Sequence, residues 1–209
     1  MENYDYKQII RDKIYSESNI PAIYLREDVK LSPEEVDIAA FMRLKNIHDN
    51  CIRFVRERWN LNLYSSNVGN GKTTWAVKIM KQYINTWACL YDLDCLYINV
   101  PEFMSLRKRS FNNSTASAQY DELEERIKEA KLVIFDEIAS KHSSEFDEDL
   151  LYRLINHRVY GGKSTIYTSN ILPDELRKML GERIADRITG SPNTVNIELK
   201  GGSRRDITF

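Results

Sequence analysis

Residues 63–80 read LYSSNVGNGKTTWAVKIM, and the fold turns on whether this stretch is a phosphate-binding loop. The pattern G-x-x-x-x-G-K-[ST] is filled at its last three places by Gly71, Lys72 and Thr73, but Ser66 stands where it asks for its first glycine. Residues 61–65 form a short apolar strand. From Thr73 to about Tyr83, apolar residues recur at helical spacing through Ala76, Ile79 and Met80, so strand, loop and helix arrive in the order the motif requires. Backbone N–H groups at a helix N-terminus bind phosphate oxygens, Lys72 offsets β/γ charge, and the Thr73 hydroxyl is a ligand for Mg²⁺. Ser66 lies at the strand exit, where glycine eases a turn but supplies no ligand, while Gly69 and Gly71 still allow close backbone approach. The expected nucleotide site is Val68, Gly69, Asn70, Gly71, Lys72, Thr73 and Thr74, with ATP and Mg²⁺ as its ligands.

About sixty residues on, LVIFDE (132–137) is an uninterrupted apolar run closed by two carboxylates. Such a run suits a strand buried on both faces of a parallel sheet. Its end delivers Asp136 to the metal and Glu137 to the γ-phosphate, where a base polarises water. STIYTSN (164–170) is a further strand ending in Asn170, which either holds the attacking water or serves only as a turn residue. In LGERIADRITG (180–190), Arg183 and Arg187 are four apart and share a helical face. They are either two solvated arginines or a cation presented to a neighbour's nucleotide.

The remaining pattern supplies the frame. Ser32, Pro33 and Glu35 make a capping-box start for a helix from 32 to about 59, with Val36, Ala39, Ala40, Leu44, Ile47, Cys51 and Phe54 on its apolar face. Residues 1–31 show no sustained period and read as an irregular lead-in. CLYINV (95–100) is a strand stopped by Pro101, with a helix from Glu102 to about Lys108, a polar loop over 110–117 and a charged helix from Tyr120. Further helices are expected over 147–160 and, as one or two pieces, over 173–189, and a last strand over 194–199. Alternating strands and helices predict a three-layer α/β domain with a mainly parallel sheet.

Composition narrows the class. The 209 residues suit one domain, and 30 basic against 31 acidic residues leave a net charge of -1, so no overall positive field advertises nucleic acid. Any such contact must be local. The best stretch is SLRKRSFNNS (105–114), where Arg107, Lys108 and Arg109 beside Phe111 combine phosphate pairing with base stacking, unless Phe111 belongs to the core. From residue 151 onward Lys and Arg outnumber Asp and Glu, ten against six, which suits a docking subunit. Cys51, Cys89 and Cys95 lack metal-site or disulfide spacing and read as reduced core residues. Without an apolar leader or an eighteen-residue apolar run, the expectation is a soluble, cytoplasmic protein with no membrane contact.

GNGKTT, LVIFDE, TIYTSN and LGERIADRI, in this order, resemble the AAA+ domain of DnaC/DnaI-type replicative helicase loaders, a family close to the IstB transposition helpers. The likeness spans roughly 45–205. It implies a five-stranded P-loop NTPase core, with Lys72 and Thr73 as Walker A residues, Asp136 and Glu137 as the Walker B pair, Asn170 as sensor I, Arg187 as arginine finger and Arg183 in support. It also implies an open ring or helical self-association, single-stranded DNA and a DnaB-type helicase as partners, and ATP hydrolysis. The basic segment at 105–114 matches the insertion that initiator-type AAA+ proteins place before Walker B. Two departures stand out, Ser66 and the short segment ahead of the Ser32 helix, with 1–31 read as a docking extension and 32–209 as the ATPase domain. A compact loader of this kind suits a phage or mobile element. Two other readings stay open: an IstB-like helper on duplex DNA, and a nucleotide-dependent structural switch with little turnover.

Overall fold

The structure, a computed structural model, describes residues 6–26, 33–87, 95–139 and 145–203. Strands β1 (Asn60–Tyr64), β2 (Cys95–Asn99), β3 (Leu132–Asp136), β4 (Ser164–Ser169) and β5 (Thr194–Glu198) form one sheet in the order β2-β3-β4-β1-β5. Every pairing is parallel, so all carboxyl ends lie along one edge. The helices are α1 (Tyr6–Glu17), α2 (Ala22–Leu25), α3 (Ile38–Asp49), α4 (Cys51–Arg56), α5 (Lys72–Trp87), α6 (Val100–Ser110), α7 (Ser114–Glu129), α8 (Glu145–Tyr160) and α9 (Pro173–Thr189).

Alternation along the strands builds the two cores. Leu132 and Ile134 join Leu61, Leu63, Ile166 and Ile197 under α3, α4 and α5. Val133 and Phe135 join Leu96, Ile98 and Tyr167 under α6 to α9. All five residues of β3 are buried, as its uninterrupted apolar run requires. The expected three-layer P-loop architecture is present, and the sheet is parallel throughout.

Several sequence expectations change. The lead-in contains a helix: Ile14 and Ile20 reach the core, the Tyr97 N–H donates to the Ser18 carbonyl at 2.8 Å, and Arg126 donates to the Glu17 carbonyl at 2.8 Å. Its apolar residues gain meaning only against α5 and the edge strand β2. The helix expected from 32 to 59 is divided into a 3-10 turn (Glu35–Asp37), α3 and α4, while Ser32 lies outside the described residues. Asn50 makes the break. Its side chain donates to the Asn46 carbonyl at 2.9 Å and its backbone leaves helical geometry at φ -112 and ψ 27. Val36 is 56% exposed, while Phe41 and Leu44 take the inward face.

Pro101 lies in the first turn of α6 rather than ending β2, because Asn99 caps that helix by accepting from the Glu102 N–H at 3.1 Å. The polar loop shrinks to 111–113, with Asn113 capping α7. Helix α9 is two pieces joined at Gly181, whose φ of 78 is open to glycine. Cys51 and Cys95 are buried free thiols, and Cys89, Arg204 and Arg205 lie outside the described residues. Among the described residues no helix is long and apolar enough to cross a membrane.

Arg158 ties the helical layer to the sheet. Fully buried in α8, it donates to the Ile127, Ala130 and Ser164 carbonyls at 2.6, 2.8 and 2.5 Å and to the Thr165 hydroxyl at 3.0 Å. Replacing it with Leu strands these acceptors in a dry interior. Arg158→Leu is expected to cost about 3–5 kcal/mol in urea unfolding. Arg153→Leu, on an exposed turn of α8 where Arg153 pairs with Asp149, is expected to stay within about 0.5 kcal/mol of wild type.

Candidate nucleotide site

The loop between β1 and α5 answers the question raised by Ser66. Gly69 and Gly71 hold φ of 77 and 98, values that side chains disfavour, whereas Ser66 is exposed and does not adopt a positive φ. The two glycines that the geometry needs are present, and the missing one is not needed. Lys72 is 6% exposed and donates to the Asn67 carbonyl at 2.8 Å and to Asn70 Oδ1 at 3.1 Å. Its ammonium thus lies inside the loop's concavity on neutral acceptors that an anion outbids.

Asparagines brace the loop from below. Asn70, fully buried, donates to Ser65 Oγ at 2.6 Å and to the Leu199 carbonyl at 3.1 Å. Asn67 donates to the Lys200 carbonyl at 2.8 Å. The segment after β5 is held in turn by the buried Asp37, whose carboxylate accepts the Lys200 and Gly201 N–H groups at 2.7 and 3.0 Å. A Cβ at Gly201 would stand 2.6 Å from Asp37 Oδ2, so only glycine fits there.

Asp136 gathers the next set. Its Oδ1 accepts from Thr73 at 2.8 Å and Thr168 at 2.6 Å, and its Oδ2 from Tyr97 at 2.7 Å. Burial, reinforced by the neighbouring Asp136 carboxylate, pushes the Tyr97 phenol far above its usual range, so it remains a donor at every working pH. Thr168 also accepts the Glu137 N–H at 3.1 Å, and Glu137, exposed, takes a left-handed φ of 57. The strand thus ends in one buried and one exposed carboxylate, the second on a sparsely populated backbone conformation. Thr73 and Asp136 supply adjacent hard oxygen donors, the chemistry that Mg²⁺ prefers. Asn170 directly follows β4, between β3 and β1, and is half-buried.

The arginines lie elsewhere. Arg187 donates to Asn156 Oδ1 and the Tyr160 hydroxyl, both at 3.2 Å, and lines a pocket with Asn60, Lys163 and Asn193, which mark the amino ends of β1, β4 and β5. The phosphate loop leaves the carboxyl end of β1, so a strand of roughly 15 Å separates the two. Arg187 does not join its own chain's loop. Arg183 is exposed in a different depression beside Glu148, Asp149 and Tyr152, so the shared helical face does not bring the two arginines to one site.

The basic stretch divides as well. Arg107 is 6% exposed, its guanidinium 3.8 Å from the Phe146 ring centroid and donating to the Phe146 carbonyl at 3.2 Å. It is a packing residue rather than part of an open basic face. Lys108 pairs with buried Asp147 at 3.5 Å, and Arg109 is exposed. Phe111 is 64% exposed, not core, and stands 6.0 Å from the half-exposed Phe146 ring. The sequence reading missed Tyr97, Thr168 and Phe146. Finding the first two requires the strand order, and finding Phe146 requires the packing of α8 on α6.

The fold, with its all-parallel five-stranded sheet and glycine-bearing loop after β1, is that of the AAA+ type of P-loop NTPase domain. No family model matches the chain. The replicative helicase loader DnaC of Escherichia coli K12 is 27% identical over 126 residues, covering 60% of this chain and 49% of that protein. The DnaC of Buchnera aphidicola subsp. Baizongia pistaciae is 24% identical over 188 residues, covering 87% of this chain and 71% of it. The chain thus spans about half the length of the first of these relatives. Among solved structures, the DnaC helicase loader superposes with a TM-score of 0.70 at 18% identity, covering 86% of this chain and 100% of that one. DnaI gives 0.67 at 22%, covering 92% and 100%. A replication initiator DnaA bound to AMPPCP and single-stranded DNA gives 0.61 at 18%, covering 87% and 51%. The likeness to DnaC/DnaI loaders read from the motifs is borne out.

The loop geometry makes opposite expectations for neighbouring positions. Ser66→Gly should leave ATP affinity within about twofold of wild type and cost about 0.5–1 kcal/mol through added backbone freedom. Gly71→Ala, forced to a φ of 98, should lose ATP binding by at least about tenfold in a fluorescent-nucleotide titration.

Proposed function

We propose that this chain is an ATP-hydrolysing subunit of a replicative helicase loader. The observation that carries the reading is the division of labour around Thr168, whose hydroxyl holds Asp136 for the metal and whose oxygen fixes the backbone of Glu137. ATP enters by exchanging the Asn67 and Asn70 acceptors of Lys72 for phosphate oxygens. Thr73 and Asp136 would hold a Mg²⁺ ion, which would supply neutralisation of phosphate charge. Glu137 takes a proton from the attacking water, and Asn170 orients that water. The γ-phosphoryl group passes to water and ADP leaves.

The separation of Arg187 from its own loop supports a composite site in which a neighbouring copy supplies this cation. The relatives named as helicase loaders support a DnaB-type helicase as partner, and we assign its docking to residues 1–31, where Ile9 and Ile23 stand exposed. Single-stranded DNA is assigned to Arg109, Phe111 and Lys108, with Phe146 as a second stacking ring; each stacked base contributes about 1–3 kcal/mol.

ATPase rate against protein concentration tests the core of this reading. Turnover per subunit should rise with concentration and with single-stranded DNA more than with duplex, and should vanish in Glu137→Gln while ATP binding persists. Arg187→Ala should lower the rate by about 10³ with ATP affinity retained. A rate independent of concentration would return the chain to a monomeric switch. For the docking assignment, Ile9→Asp with Ile23→Asp should abolish co-sedimentation with a DnaB-type helicase; full retention would move docking off this segment.

A further inference from the structure

Helices α4 and α8 end side by side, each with the same terminal motif. At the end of α8 the Gly162 N–H bonds to the Val159 carbonyl and the Lys163 N–H to the Arg158 carbonyl, with Gly162 at a φ of 62. At the end of α4 the Arg58 N–H bonds to the Val55 carbonyl and the Trp59 N–H to the Phe54 carbonyl, with Arg58 at a φ of 64. This is the Schellman arrangement, whose left-handed position is ordinarily glycine. Gly162 obeys that preference and Arg58 does not. A long cation occupies a place where every side chain is strained.

The side chain does nothing local to justify the strain. Among the described residues the Arg58 guanidinium has no hydrogen-bond or ion-pair partner. It lies flat on Gly162, where an added Cβ would stand 2.7 Å from Arg58 Cδ and 3.0 Å from Nη1. Gly162 therefore keeps open the seat on which Arg58 rests. That seat is the wall of the pocket, about 360 Å³ in volume, that also holds Arg187. Lys163, on the same wall, is engaged with Glu129 at 3.3 Å, and Asp186 is the one carboxylate among the lining residues. The pocket thus offers two guanidinium groups at the end of the sheet opposite the chain's own phosphate loop.

We infer that Arg58 is a second cation delivered in trans, acting with Arg187 on the triphosphate of a nucleotide held by the neighbouring copy. This rests on the composite-site reading above. Two planar forks converging on one anion bind several of its oxygens at once, which a single arginine does not achieve. The strained backbone at 58 is the cost of aiming the group into the pocket, in keeping with the clustering of such conformations at functional positions.

Mixed-subunit kinetics test the assignment. At saturating wild-type concentration, Arg58→Ala is expected to lower kcat by about tenfold or more while binding a fluorescent ATP analogue within about twofold of wild type. Arg58→Lys should recover part of the loss. Arg58→Gly, which relieves the left-handed strain, should unfold no earlier than wild type yet turn over as slowly as Arg58→Ala, separating stability from function. Mixing Arg58→Ala with Lys72→Ala should give more turnover than either alone, because the second supplies an intact Arg58 to the intact loop of the first. Wild-type kcat in Arg58→Ala, or a mixture no faster than its parts, overturns the inference while leaving Arg187 in place. A wild-type rate indifferent to concentration and to Arg187→Ala overturns the composite site itself, and Arg58 with it.

Discussion

A carboxylate taken out of water must be met by donors on both oxygens, and Asp136, 4% exposed at the end of a fully buried strand, imposes that demand on everything around it. The donors come from β2 (Tyr97), from the start of α5 (Thr73) and from β4 (Thr168). Three elements far apart in sequence are thereby set in register about one side chain. Thr168 extends the constraint to Glu137 by accepting its N–H, so the buried carboxylate and the exposed one are positioned by a single hydroxyl. All the donors are neutral hydroxyls, which leaves the negative charge of Asp136 available to a divalent cation.

A second constraint comes from beneath the phosphate loop. Asn70 and Asn67 bind carbonyls of the segment following β5, and Asp37 binds the N–H groups of the same segment from the other side. The loop, the end of the sheet and the turn before α3 thus share one backbone strip. Because Lys72 rests on the Asn67 carbonyl and on Asn70 Oδ1, any anion that draws Lys72 away frees acceptors on the same two residues whose amide groups hold this strip. The start of the domain and the segment after its last strand are mechanically adjacent to the nucleotide site.

How much of this was legible follows from the range of the interactions concerned. LVIFDE announced a buried parallel strand because its environment is apolar on both faces, and Gly69, Gly71, Lys72 and Thr73 announced the loop because their requirements are local. Helix α1 was illegible because Ile14 and Ile20 become core only against residues of α5 and β2. Arg107 looked like a surface base until Phe146, on another helix, covered it. Tyr97 and Thr168 look like ordinary strand residues until β2, β3 and β4 are set side by side. The capping signals misled where a local competitor intervened, as at Asn50, whose side chain bonds the backbone of its own helix and ends it.

The parallel sheet has a consequence for assembly. Every carboxyl end faces one way, so the edge that carries the glycine loop and the edge that carries the arginines are different surfaces. Contact between unlike surfaces is heterologous, and such contacts propagate instead of pairing off. An open row of n copies joined in this way contains n − 1 finished sites, with one loop uncovered at one end and one pair of arginines idle at the other. Closing the row into a ring finishes the last site, while opening it at any point disables one. On the proposed composite site, the number of working sites counts the joints, not the subunits.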